Sequence, residues 1–133
     1  VADFALAKPA FDPMLPFVDH PIVPRQYVDS AGRGSPRDVL RWLARRCGGT
    51  PVVTLGNRGA IALVDGRFRH VPSRRVRVRD TTGAGDAFHG AFAAGLAHGM
   101  PVMRAIVLAS RAGAQACRAL GATSSLLSRL PRR

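Results

Sequence analysis

With 133 residues, 47% of them hydrophobic, the chain can build one compact core but not two ordinary domains, so a single domain over 1–133 is expected. A formal net charge of +12 points toward polyanions, yet nearly all of it is arginine, with Lys8 the only lysine, spread along the chain, and the dense run from Arg74 to Arg79 has no interleaved Phe, Tyr or Trp. A solvated basic face is therefore expected rather than a nucleic-acid groove, and the absence of an eighteen-residue apolar run or a basic-then-apolar leader makes a cytoplasmic chain without a membrane partner the expectation.

Residues 1–34 are proline-rich and read as irregular, with one short candidate strand at Pro21-Ile22-Val23-Pro24 and a glycine-rich stop at Gly32-Arg33-Gly34. Ser35-Pro36-Arg37-Asp38 marks a helix start: Ser35 can cap a free N–H, Pro36 suits the first turn, and Asp38 completes a box-like pair. Val39, Leu40, Leu43 and Ala44 share one face, Cys47 continues it, and Gly48-Gly49 should end the helix. Pro51 to Gly56 is an apolar, β-branched run between turn residues, as in a strand buried on both faces. Asp65-Gly66, flanked by Ala60–Val64 and Arg67–Val71, predicts a hairpin. Over Arg75–Arg79 arginine alternates with Val76 and Val78, the pattern of a strand with one wet face. Two helices follow, over about 84–98 and 102–119, separated by His98-Gly99-Met100-Pro101. Strands alternating with helices predict an α/β layered fold. Cys47 and Cys117 stand alone, and His20, His70, His89 and His98 have no ligand spacing, which argues against a disulfide framework and a protein-ligated structural metal site.

The chemistry concentrates in Gly83-Ala84-Gly85-Asp86, between the last strand pattern and a helix. A helix N-terminus offers unpaired N–H groups and partial positive charge, and glycines let an anion approach the backbone. This is a plausible phosphate cradle, but GxxxxGK[ST] is absent and GxGxxG fails because Phe88 stands where the third glycine belongs. A carboxylate at Asp86 would repel a passively bound pyrophosphate. A base beside a transferring phosphoryl group would need that position; a helix cap would equally well account for it, and the tetrapeptide alone does not separate the two.

Asp80-Thr81-Thr82-Gly83-Ala84-Gly85-Asp86-Ala87-Phe88-His89-Gly90-Ala91-Phe92 closely resembles the C-terminal signature of the ribokinase-like, or PfkB, carbohydrate kinases. Thr54-Leu55-Gly56-Asn57-Arg58-Gly59-Ala60 is similar to that family's nucleotide-side segment, and Ala109 to Ala114 through Leu120-Gly121-Ala122 to the Ala-rich helix and turn beside its adenine pocket. The similarity covers about 18–125, strongly from 50 onward. It implies a ribokinase-like layered αβα sheet, with 50–125 as the nucleotide-binding and catalytic part. By the same resemblance Asp86 matches the catalytic base, and Gly83, Ala84 and Gly85 match the backbone anion hole. Thr54, Gly56 and Gly59 match the nucleotide side, and Ser110 lines the adenine. Asp80, Thr82, Gly121 and Ser125 match a monovalent-cation site. ATP, Mg2+ and K+ are the implied cofactors, and a sugar is the acceptor.

Departures from the pattern matter too. Nothing here corresponds to the family's N-terminal half with its glycine-pair signature, sugar contacts and lid, so the chain is expected to be a C-terminal fragment or truncated form, associating with itself or a completing polypeptide. The Asn-x-x-Glu element that organises magnesium should fall near Pro24–Val28, where neither residue occurs. The expected activity is phosphoryl transfer from ATP to a sugar hydroxyl; the alternatives are a catalytically silent nucleotide-binding remnant or partner subunit, and a basic polyanion-binding protein. Phe88, Phe92 and Trp42 are read as helix packing, and His89 as a capping or surface residue rather than a sugar contact.

Overall fold

The computed structural model describes residues 2–3 and 9–122, in two units that divide between Pro72 and Ser73. In the first unit, β1 (Ala2–Asp3), β2 (Pro21–Pro24), β3 (Val52–Thr54), β4 (Ala60–Val64) and β5 (Arg67–Val71) form one sheet in that order. β1, β2 and β3 are parallel, whereas β4 and β5 run antiparallel to their neighbours. The β4–β5 turn is the expected one: Asp65 and Gly66 take φ of 49° and 71°, and two such residues give the twist that a tight hairpin needs.

Two helices cross from β2 to β3: α1 (Arg25–Ala31) and α2 (Pro36–Ala44). α2 starts as its sequence dictates, because the Ser35 hydroxyl accepts from the Asp38 N–H at 3.3 Å and Asp38 Oδ2 accepts from the Ser35 N–H at 3.0 Å. Its apolar side packs Val39, Leu40 and Leu43 against Val23, Val53 and Ile61 of the sheet and Tyr27 and Val28 of α1. Register explains the selection: Val23 stands opposite Val53, and Val53 opposite Ile61, so the three share one face. The alternate residues Ile22, Val52 and Ala62 are buried as well, as the apolar run at Pro51–Gly56 predicts for a strand covered on both faces.

Three expectations need correction here. Residues 25–31, read as irregular, form α1; its N-cap is Pro24, with no side chain to cap it, so no start signal is written in the sequence, and burial of Tyr27 and Val28 stabilises it instead. α2 ends at Ala44, before Cys47, as Arg46 and Cys47 both turn their N–H groups onto the Leu43 carbonyl at 2.9 Å. Gly49 serves a close approach rather than the helix end: a Cβ there would lie 2.7 Å from the Asp19 carbonyl oxygen. Residues 75–79 join no ladder among the described residues, and Val78 is 57% exposed. Alternation makes a strand only where a neighbouring strand supplies hydrogen bonds; here the nearby backbone ties are Arg79 and Asp80 N–H groups donating to the Cys117 carbonyl at 2.8 and 3.4 Å.

The second unit is a helical hairpin of α3 (Ala84–Ala97) and α4 (Val102–Ala116). Gly99, at φ 74°, donates its N–H to the Leu96 carbonyl at 2.9 Å and Met100 its own to Gly95 at 3.0 Å, which closes α3 and reverses the chain. The helices approach through small residues: a Cβ on Gly95 would lie 3.2 Å from the Ala105 Cβ, and one on Gly113 3.1 Å from the Ala84 carbonyl oxygen. Phe88 and Phe92 are buried with Ile106 and Ala109, the packing role expected of them. No described helix is long and apolar enough to cross a membrane.

Candidate active site

Gly83 opens α3 in the left-handed region, φ 76°, and has no side chain with which to cap it. A Cβ on it would stand 2.7 Å from the Ala122 Cβ, so backbone conformation and close approach both require glycine. Of the first amides, that of Ala84 is taken by the Thr81 carbonyl at 3.2 Å and that of Ala87 by Gly83 at 2.9 Å. The N–H groups of Gly85 and Asp86 have no carbonyl partner among the described residues, and both residues are exposed. An exposed helix start with two free donors is a surface on which an anion can sit.

Asp86 stands in the first turn of α3, and its carboxylate takes no backbone N–H or cation among the described residues. It is exposed and is not spent as a cap. His89, one turn on, donates from Nδ1 to the Gly85 carbonyl at 2.8 Å, which folds its ring back along α3.

Asp80 organises the loop before the helix. Its Oδ1 accepts from the Thr82 N–H and its Oδ2 from the Gly121 N–H, each at 2.9 Å. Hydrogen bonds from Thr82 first, then from Gly121, hold the Asp80 carboxyl below the usual carboxylate range. Asp80, Thr82 and Gly121 are thus brought together; Ser125 lies outside the described residues. Ser110 is 7% exposed, a hydroxyl among the alanines of α4. The role of Ala122 behind Gly83 was missed by sequence reasoning, and only the left-handed glycine, not any local pattern, could have signalled such a neighbour.

In the first unit, Thr54 ends β3 and the chain turns through a short 3-10 segment, Gly56–Arg58. The Leu55 N–H donates to the Gly59 carbonyl at 2.7 Å, and the Gly59 N–H to Gly56 at 2.9 Å. Gly56 at φ 61° and Gly59 at φ 88°, ψ −131° hold conformations that L side chains rarely adopt. His70 on β5 hydrogen-bonds through Nε2 to the Arg58 carbonyl at 2.7 Å, bracing that turn. The described residues bring no three His, Cys, Asp or Glu together as a metal-binding group.

These features meet an independent match: the pfkB family carbohydrate kinase pattern fits residues 25–129. The chain belongs to the pfkB family of carbohydrate kinases. Among curated family members it is 46% identical to a fructokinase from Klebsiella pneumoniae over 74 residues, 55% of this chain and 24% of that one. A ribokinase from Lactococcus lactis is 34% identical over 96 residues, 72% of this chain and 31% of its own length. The chain therefore spans a quarter to a third of the length of these pfkB relatives. The fold is ribokinase-like: a ribokinase from Thermotoga maritima superposes with a TM-score of 0.79 at 25% identity, over 86% of this chain and 40% of that one. The aminoimidazole riboside kinase of Salmonella enterica, solved with aminoimidazole riboside and an ATP analogue, gives 0.76 at 29% identity, over 84% and 40%.

Proposed function

We propose that this pfkB chain, a single partial ribokinase-like domain over 1–133, supplies the nucleotide-binding and catalytic-base part of an ATP-dependent sugar kinase. The observation that carries the reading is the start of α3: a glycine-only turn, two free amides and a carboxylate not consumed as a cap. In the reaction the Asp86 carboxylate takes the proton of a sugar hydroxyl, whose oxygen attacks the γ-phosphorus as the bond to the ADP oxygen breaks. The Gly83–Gly85 turn is assigned to the charge that develops on the transferring group; its Ala84 N–H is held by Thr81, which leaves the Gly85 N–H, joined by that of Asp86, as the free donors. Thr54, Gly56 and Gly59 are assigned to the nucleotide side and Ser110 to the adenine. Support for ATP comes from the ATP analogue in the Salmonella riboside kinase.

Mg2+ supplies charge neutralisation on the phosphates when bound. The described residues bring no three His, Cys, Asp or Glu together for it, and the Pro24–Val28 stretch carries neither Asn nor Glu, so the ion is assigned to the nucleotide itself. For K+, Asp80, Thr82 and Gly121 are the residues assigned, and their shared hydrogen bonds fit a preformed loop. The 24–31% share of the curated relatives favours a second reading, in which this stretch binds ATP and turnover needs the rest of the length those relatives have.

Calorimetric titration with Mg-ATP, on the chain and on Asp86→Asn, tests both. Saturable binding by both proteins is expected, with sugar phosphorylation, alone or with a completing polypeptide, falling at least about 100-fold in the variant. Unchanged phosphorylation by Asp86→Asn would remove the base, and no ATP binding by a folded chain would remove the nucleotide site.

A further inference from the structure

In the sequence Trp42 follows Arg41 and Phe68 stands between Arg67 and Arg69, but the fold stacks other arginines on these two rings. Arg37 and Arg41 project from α2, Arg46 lies just past its end, and Arg33 occupies the loop before it; all four are exposed. The guanidinium carbons of Arg33 and Arg46 lie 4.1 and 4.4 Å from the Trp42 ring centroid, and those of Arg37 and Arg41 lie 5.2 and 5.0 Å from that of Phe68. Both rings are half-buried and packed against the core of the first unit, so they are fixed platforms. A guanidinium stacked on a ring keeps its N–H edge free for planar, bidentate contact with an oxyanion.

Asp38 is the carboxylate at this face, and it is already engaged by the Ser35 N–H and hydroxyl and by Arg41 at 3.1 Å. Arg33 and Arg37 have no ion-pair partner among the described residues. An ordinary solvated helix face interleaves acids at i, i+4; here Arg37 and Arg41 stand at that spacing on α2 with Arg33 and Arg46 beside its ends, a like-charge cluster that an anion would relieve.

We infer that this face binds the phosphate backbone of a single-stranded nucleic acid, with the guanidinium edges of Arg33 and Arg37 on its phosphates, since Arg46 donates to the Trp42 carbonyl at 3.2 Å and Arg41 to Asp38. The rings are already covered by arginine, which leaves no platform for bases and makes the binding independent of sequence. An acidic protein partner is disfavoured by the same fact, since protein interfaces centre on an open aromatic or apolar anchor. The nine residues of α2 span about 13 Å, a short track that a flexible strand can follow.

The test is fluorescence anisotropy of a labelled oligouridylate with the full chain over a salt series, comparing R33Q/R37Q with R67Q/R69Q. Arg67 and Arg69 flank Phe68 on β5 and so point to the opposite face of the sheet, which makes the second pair a control of equal charge. R33Q/R37Q is expected to weaken binding roughly 10-fold and to flatten the salt slope by about 1.4, that is ~0.7 for each phosphate no longer neutralised. The control should stay within about 2-fold. Equal losses in both pairs would reduce the effect to net charge, and wild-type binding by R33Q/R37Q would remove the site; either overturns the inference. Displacement of the oligonucleotide by polyglutamate as readily as by unlabelled RNA would overturn it in favour of an acidic protein.

Discussion

Asp80 gains two backbone N–H donors on folding, from Thr82 and from Gly121 forty-one residues away, and its carboxyl falls below the ordinary value because those bonds favour the charged form. The sign follows from linkage. A group whose value is lowered by folding contributes stability that is fully present above the unfolded value, and that contribution is lost as pH falls through the lowered one. The Thr82 and Gly121 amide resonances should therefore move together in one acid step centred below the ordinary carboxylate value of about 3.9. Asp80→Asn should abolish that step, as read by NMR titration; a step at or above the ordinary value would mean that the clasp does not hold in solution. Asp86 differs in kind. Its carboxylate makes no bond within the described protein, which leaves it available to a substrate, whereas Asp80 is committed to the loop that precedes it.

At the level of elements, the glycines of α3 are not equivalent. Gly95 faces Ala105, where a Cβ would meet that residue's Cβ at 3.2 Å and its Cα at 3.4 Å, while Gly90 is exposed and a Cβ there meets nothing within 4 Å. Gly90→Ala is expected to stabilise the chain by ~0.5–1 kcal/mol, as in any open helix interior. Gly95→Val should destabilise it by ~1–3 kcal/mol, because the hairpin must part to admit the side chain. Urea unfolding of the two variants checks the contrast, and equal effects would mean that α3 and α4 do not pack as described. The same distinction explains what the sequence made legible. The Ser35–Asp38 box and the Asp65-Gly66 turn are local codes, read from neighbours in the chain, and both form where expected. α1 carries no such code after Pro24, and residues 75–79 carry a strand pattern with no ladder among the described residues, so each depends on contacts that local pattern does not contain. The active-site candidates were legible for a different reason: the left-handed glycine and free carboxylate at 83–86 stand in one continuous motif. The arginine platforms were not, because Phe68 reaches Arg37 and Arg41 only through the pairing of β5 into the sheet.

Over the whole molecule, the two segments assigned to ATP stand in different units, Thr54–Gly59 in the first and Asp80–Asp86 in the second. The chain passes from one to the other through Ser73–Arg79, which carries Arg74, Arg75, Arg77 and Arg79, all exposed and in neither helix nor strand. Proteolysis selects backbone that can open without breaking hydrogen bonds or exposing buried chain. Other exposed arginines are better protected: Arg67 and Arg69 are held in the β4–β5 ladder, Arg58 sits in a hydrogen-bonded turn braced by His70, and Arg33 is stacked on Trp42. Toward the end of the segment the Arg79 and Asp80 N–H groups are tied to Cys117, so the open part is its beginning. Brief trypsin treatment should therefore cut first, among residues 9–122, after Arg74 or Arg75, and mass spectrometry should find fragments that divide where the units do. An earliest cut at Arg33, Arg58 or Arg69 would show instead that the first unit opens before the connecting segment does, and that its turns are weaker than their hydrogen bonds imply.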